Sequence, residues 1–331
     1  MGLRKDISWF TPQDTDLSGA VWRSSGYTEV SLSLFEALEK LGQKVIWNAE
    51  GTAWHVNYCL PFYYQTIGKK NVGYTPWEYT SIPDTWKYNM EKCDQIWATS
   101  SWCKDVYESM GIEVPIKVVP HGIHSDWKVV NREIGEKFYF LHVGGELPRK
   151  NSDLVVKAFL ELFEGNDDYH LILKVSNRNR VPLPHPQITI IDSFLERDSL
   201  ISLYNNCHCM VYPTTGEGFG MIPFQAIATG MPTICTNETG CSEYADLSMP
   251  LSGEWVSVED YMPEVDLDFD SYGSGAPKAI KPDYEMLVSL MEEVTDDYLD
   301  HKTKALRGAR IIQNEHSWDS IAERIVENLD L

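Results

Sequence analysis

The sequence predicts an α/β protein built from two doubly wound, Rossmann-like domains facing across a cleft. Short apolar, β-branched or aromatic runs alternate with amphipathic helical patterns through most of the chain, which yields parallel sheets with helices on both faces. The alternation occurs twice, with a break near residues 127–136. The length, 331 residues, suits about two ordinary domains.

Strand candidates in the first half are Ile7–Phe10, Lys44–Trp47, Asn71–Tyr74, Gln95–Ala98 and Ile116–Val119. The second set is Phe138–Val143, His170–Val175, Ile188–Ile191, Cys209–Tyr212 and Thr233–Cys235. Val30, Leu34, Leu38 and Leu41 recur at helical spacing and stop at Gly42, a fitting C-terminal residue. Leu154, Ala158, Phe159 and Leu162 repeat the pattern. Residues 251–282 read as an irregular loop or insertion, and Tyr284–Leu299 and Ser317–Leu329 as closing helices. The expected domains are 1–130 and 131–310, followed by a C-terminal helix at 311–331.

Composition narrows the function. Hydrophobic residues at 43% and charged residues at 23% support a packed core. No apolar run reaches the roughly 18 residues of a membrane-spanning helix, and the N-terminus shows no signal-peptide pattern. Seven cysteines without framework spacing point to reduced thiols and a cytoplasmic location. A net charge of −21 argues against a protein that grips nucleic acid by its backbone. Much of the excess lies between Glu254 and Asp300, where 14 acidic residues face Lys278 and Lys281, and it reads as a solvated surface. An enzyme or a binding protein remains.

The stretch richest in chemistry runs from Tyr212 to Pro232. A strand ends at Tyr212, and glycines 216, 218 and 220 let a tight loop enter a helix near Ile222. Free backbone N–H groups at a helix N-terminus, aided by the dipole, form a ready site for phosphate. Glu217 stands in that loop, where its carboxylate can accept hydrogen bonds from sugar hydroxyls, and Gln225 lies about two helical turns on. Cys207-His208-Cys209 lacks a second ligand pair, and residues alternating along a strand point to opposite faces, so it reads as strand rather than metal site.

These residues carry a resemblance. Glu217-Gly-Phe-Gly220, with Ala226, Gly230-Met-Pro232 and Gly240-Cys-Ser-Glu243 after it, resembles glycosyltransferase family 4, retaining nucleotide-sugar enzymes of GT-B fold. Leu141-His-Val-Gly144-Gly145 and Arg149-Lys150-Asn151 resemble its donor-phosphate segment, and Val118-Val-Pro120-His121-Gly122-Ile123 its linker block. Trp77-Glu78, Ile82-Pro83, Trp86 and Ser100-Ser-Trp102 resemble a subgroup with a Trp-Glu motif in the N-terminal domain, and Ser317-Trp318 resembles the closing helix, which crosses back toward that domain.

The resemblance implies an acceptor-side domain followed by a nucleotide-sugar domain. Lys150 and Arg149 would neutralise the donor diphosphate and Glu217 would orient the sugar, which makes these three the catalytic candidates. Gly218, Phe219, Gly220, Met221 and Ile222 would hold phosphate through their backbone, and Gln225 the ribose. Gly144, Gly145 and Gly26 complete the donor-binding candidates. His121, Trp77 and Glu78 are cleft candidates; His121 reads equally well as structural, and Trp77 as core or as a platform for a sugar. Two departures stand out: Gln225 replaces the family's second glutamate, and Gly145 replaces the arginine often found after Val-Gly. The implied activity is retaining transfer of a hexosyl or pentosyl group from a UDP- or GDP-sugar to a hydroxyl acceptor, with no metal or cofactor. The alternatives are transfer to nucleic acid or a modified base, and nucleotide-sugar binding without turnover.

Overall fold

The computed structural model describes residues 6–11, 26–144, 148–175, 184–265, 267–273 and 275–331. These form two compact units, one drawn from 1–124, 268–277 and 315–331 and the other from 125–267 and 278–314. The first contains strands β1 (Ile7–Phe10), β2 (Val45–Trp47), β3 (Trp54–Tyr58), β4 (Lys70–Thr75), β5 (Gln95–Ala98) and β6 (Ile116–Val118). All pair in parallel in the order β2-β1-β3-β4-β5-β6. Its helices are α1 (Gly26–Lys40), α2 (Asp84–Met90) and α3 (Ser101–Ser109).

Strand β3 was not expected from the sequence, because polar His55 and Asn57 break its apolar pattern. All five of its residues are buried; Asn57 is satisfied, and His55 is bonded at one ring nitrogen only. His55 Nδ1 lies 2.9 Å from Ser8 Oγ. Asn57 donates to the Gln65 carbonyl and accepts from the Gln65 amide at 2.9 and 2.8 Å. A buried polar side chain is tolerated when it is hydrogen-bonded. Beyond α1, Gly42 takes φ +77°, the left-handed conformation that closes a helix at glycine.

The second unit contains β7 (Phe138–Val143), β8 (Tyr169–Lys174), β9 (Ile188–Ile191), β10 (Cys209–Tyr212), β11 (Thr233–Thr236) and β12 (Met249–Leu251). They form a parallel sheet in the order β12-β11-β10-β7-β8-β9. An antiparallel pair, β13 (Gly253–Ser257) and β14 (Lys278–Pro282), forms a separate ribbon. The helices are α4 (Ser152–Phe163), α5 (Arg197–Asn205), α6 (Met221–Ala228), α7 (Val258–Tyr261), α8 (Tyr284–Asp296) and α9 (Tyr298–Glu315). Phe138, Phe140, Phe159, Phe163, Leu171 and Leu287 belong to the core between β7–β8 and α4–α8. Back in the first unit, α10 (Trp318–Asn328) is capped by Ser317, whose hydroxyl accepts from the Ser320 amide at 3.0 Å. No helix among the described residues is long and apolar enough to cross a membrane.

Two readings of the C-terminal third are corrected. Residues 251–282 are not irregular throughout, since β13 and β14 pair across them. The long helix α9 lies between the two expected closing helices. Its buried face is Tyr298, His301, Ala305, Gly308, Ala309 and Ile312, and the small or polar residues between Tyr298 and Ile312 interrupt the apolar stripe. Gly308 is small because a Cβ there would sit 3.2 Å from Leu247.

In the second sheet, β7 lies between β10 and β8, so the chain winds one way from β7 to β9 and the other way from β10 to β12. The loops leaving the carboxyl ends of β7 and β10 therefore diverge, and open α/β sheets bind ligands at such a switch point.

Arg132, in the expected break between domains, is 3% exposed and has no carboxylate partner among its bonds. Its guanidinium donates to the carbonyls of Cys207 (2.8 Å), Tyr204 (3.1 Å) and Thr229 (2.7 Å) and to Thr229 Oγ1 (2.7 Å). Tyr204 and Thr229 sit at the C-terminal ends of α5 and α6, where carbonyls lack helical partners and the dipole favours a cation. Burial lowers its pKa to about 10, well above neutrality. Arg132→Met removes the donor of the buried Cys207 carbonyl and leaves those of Tyr204 and Thr229 with only the Cys207 and Val130 amides, and we expect a loss of about 2 kcal/mol, or roughly 6 °C in Tm, by thermal denaturation. An unchanged Tm would refute this account of the linker.

Candidate active site

Two loops meet at the switch point. After β7, a 3-10 turn at Pro148–Lys150 leads into α4. After β10, residues 213–220 lead into α6. Asn151 holds the first loop in place: it adopts the left-handed region (φ 53°), which asparagine tolerates, and its amide donates to the Pro213 carbonyl at 2.6 Å. The Thr215 amide donates back to the Arg149 carbonyl at 2.9 Å, and Arg149 Nη1 reaches the Gly216 carbonyl at 2.8 Å. The loops are thus laced by backbone and side chain together.

Their side chains converge on Glu217, which is 7% exposed. Its Oε1 accepts from Arg149 Nη1 at 2.8 Å, from Lys150 Nζ, from the Tyr212 hydroxyl at 2.7 Å and from Thr214 Oγ1 at 3.3 Å. Among the described residues no hydrogen bond reaches Oε2. Burial alone would raise the Glu217 pKa, but Arg149, Lys150 and the bonds from Lys150 and Tyr212 outweigh it and hold the carboxyl at about 2. Tyr212 is shifted well upward, first by burial and then by the Glu217 charge, so it keeps its proton and donates.

The glycines have local reasons. Gly220 takes φ +84°, and a Cβ there would meet the Tyr244 hydroxyl and lie 2.8 Å from Cys241 Sγ. Tyr244 in turn donates to the Phe219 and Gly220 carbonyls at 2.9 and 2.7 Å. The Gly240 amide donates to the Glu217 carbonyl at 2.7 Å, and Thr239 Oγ1 accepts from the Glu217 amide at 3.1 Å. Gly220 caps α6 without a side chain and Pro223 has no N–H, which leaves the amides of Met221 and Ile222 at the helix start for an anion. Gln225 is partly exposed on the next turn. Gly144 leaves room for His142 Nε2 and Ser152 Oγ, which would lie 2.7 and 2.9 Å from a Cβ.

Of the expected site residues, Arg149, Lys150, Glu217, Gly144 and Gly218–Ile222 fall together in the second unit. Gly145 lies outside the described residues, as do Ser24 and Ser25 beside Gly26. Gly26 begins α1 with open space where a Cβ would be. His121 is buried with Nε2 2.9 Å from the Tyr58 hydroxyl, and burial lowers its pKa to about 3, so it is neutral. Trp77 is core: it is 5% exposed, its indole donates to the Ser81 carbonyl at 2.7 Å, and its ring meets Trp86 edge-on at 4.4 Å. Glu78 beside it is partly exposed. Gly122 is needed because a Cβ would meet the Trp318 backbone nitrogen at 2.8 Å, which accounts for the Pro-His-Gly-Ile block. The nitrogens of His208 are engaged by the Tyr139 amide (3.0 Å) and the Glu133 carbonyl (3.2 Å). Among the described residues no three His, Cys, Asp or Glu side chains gather as a metal site. The sequence did not single out Tyr212, Thr214, Thr239 or Tyr244 as site residues. The one available signal was position, since Tyr212 and Thr214 flank the proline that ends β10.

Comparison with known proteins adds a family match for one segment and a likeness of fold. Residues 186–260, which carry Glu217 and α6, match the family described as glycosyl transferases group 1. A protein named as a glycosyltransferase in Sulfolobus islandicus filamentous virus is 24% identical over 160 residues, 47% of this chain and 45% of that protein. The O-antigen chain mannosyltransferase RfbU of Salmonella typhimurium is 26% identical over 164 residues, 46% of this chain and 44% of its own. The matches thus span less than half the length of these curated relatives. Sucrose-phosphate synthase from Thermosynechococcus elongatus superposes with a TM-score of 0.61 over 92% of this chain and 78% of that chain, at 13% identity, a likeness of fold. The chain therefore has the two-unit α/β architecture of GT-B glycosyltransferases, with a glycosyltransferase group 1 segment at 186–260.

Proposed function

We propose that the chain is a retaining glycosyltransferase that moves a sugar from a UDP- or GDP-sugar to a hydroxyl acceptor. The observation that carries this reading is the convergence of Arg149, Lys150 and Glu217 at the switch point of the second sheet, beside the N-terminus of α6. A nucleoside diphosphate leaving group needs positive charge as the glycosidic bond breaks, and Lys150, Arg149 and the first-turn amides of α6 supply it without a metal. In this reading Glu217 Oε2 accepts from a hydroxyl of the transferred sugar. Front-face attack forms the bond from acceptor oxygen to anomeric carbon as the bond to the phosphate oxygen breaks, and that oxygen takes the acceptor proton. Gln225 hydrogen-bonds the ribose as a neutral amide.

Incubation with a panel of UDP- and GDP-sugars should release nucleoside diphosphate from at least one donor, with retained configuration in the product. Glu217→Gln and Lys150→Met should each lower that release by about 100-fold. Tight donor binding with no release from any donor would instead identify a binding protein.

Glu217 also links stability to pH. Its folded pKa of about 2 lies below the unfolded value of about 4.3. Its contribution is therefore complete above the unfolded value and lost as pH falls through the folded one. Wild type should be more stable than Glu217→Gln at pH 6, and the gap should shrink as the pH falls from about 5 to about 2. A gap independent of pH in denaturant titrations would contradict the ion-pair geometry.

A further inference from the structure

We infer that Tyr212 is a positioning residue that fixes Glu217 by one carboxylate oxygen so that the other faces the transferred sugar. This rests on the proposed function. The Tyr212 hydroxyl accepts from Lys150 Nζ at 2.5 Å and donates to Glu217 Oε1 at 2.7 Å, using its single proton on the carboxylate. Its ring cannot swing. It is fully buried at the end of β10, lies 6.1 Å and 30° from the His142 ring, and meets Lys150 Nζ at its hydroxyl end. His142 is itself fixed, because Nδ1–H donates to the Val211 carbonyl at 2.8 Å and Nε2 accepts from the Ser152 hydroxyl at 2.9 Å.

The chemical need for a neutral donor follows from the cations. Arg149 and Lys150 are paired with Glu217 in the free protein, and a diphosphate would compete for both. Tyr212 bears no charge for the diphosphate to draw away, so its bond to Oε1 persists when the cations are shared. A carboxylate held at one oxygen keeps the other directed at the sugar hydroxyl rather than rotating to grip the cations with both.

The test is Tyr212→Phe, which keeps the ring and the direct Lys150–Glu217 contact. Kd is measured for UDP and GDP and for the matching nucleotide sugars, with kcat for donor turnover and a melting curve to establish folding. The expected signature is selective: nucleoside diphosphate affinity stays within about twofold of wild type, while nucleotide-sugar affinity and kcat each fall about tenfold. A general structural role would weaken both ligand classes alike, and that outcome overturns the inference, as does unchanged behaviour toward both. Should Tyr212→Phe fail to fold, Thr214→Val removes the other neutral donor to Oε1 and should show the same selectivity at smaller amplitude; equal loss for both classes again overturns it. If wild type binds neither UDP, GDP nor their sugars, the proposed function itself fails and this inference with it.

Discussion

The second unit depends on one constraint: a buried carboxylate, Glu217, must be paired, and its partners come from two loops that the sheet order sends in opposite directions. An unpaired charge at 7% exposure would be costly. Pairing it with Arg149 and Lys150 ties the loop after β7 to the loop after β10. The backbone bonds between Thr215 and Arg149, and from Asn151 to Pro213, share that work. Because the pairing spans the switch point, the place where a doubly wound sheet opens is also where this unit holds a buried carboxylate with two cations.

Buried charge is handled differently elsewhere in the unit. Arg132 is as deeply buried as Glu217, yet its bonds go to carbonyls and a hydroxyl at the ends of α5 and α6. Those carbonyls have no helical partner and no competing ligand, so the arrangement is closed and serves the linker. The Glu217 cluster stays open at Oε2 and lies beside helix-start amides. A closed network suits structure, and one with an oxygen left open suits binding.

Much of the fold was legible because most strands are short apolar runs, and Ile7–Phe10, Gln95–Ala98, Phe138–Val143, Ile188–Ile191 and Cys209–Tyr212 have the expected bounds. The losses share a cause: burial was achieved by residues that do not look buried. In β3, His55 reaches Ser8 through one ring nitrogen and Asn57 bonds the Gln65 backbone, contacts that the strand's own pattern does not show. In α9, Ala305, Gly308 and Ala309 are buried by being small. In β14, the buried residues Ala279 and Ile280 lie between exposed Lys278 and Lys281, which breaks the alternation expected of a strand. The site followed the same logic. Glu217, Lys150 and the glycines stood out by type and spacing, whereas Tyr212 and Thr214 act through a shared carboxylate oxygen that only the folded loops bring within reach.

The charge balance of the cluster explains why α6 belongs to the site. Arg149, Lys150 and Glu217 sum to one positive charge, less than the roughly two negative charges of an esterified diphosphate and less still than the charge after the glycosidic bond breaks. The helix N-terminus adds about half a unit of positive charge with amides already pointed at the site. Moving Glu217 elsewhere would raise the balance, but it would leave the buried Lys150 and the partly buried Arg149 without a carboxylate whenever the site is empty. Under the proposed function, a carboxylate that neutralises the cations when no ligand is present, and already presents its second oxygen for a sugar hydroxyl, would reconcile a stable empty site with a positive occupied one. Under that function only aspartate would keep a carboxylate at position 217, and its side chain, one methylene shorter, falls short of the reach that glutamate makes to Arg149 and Tyr212.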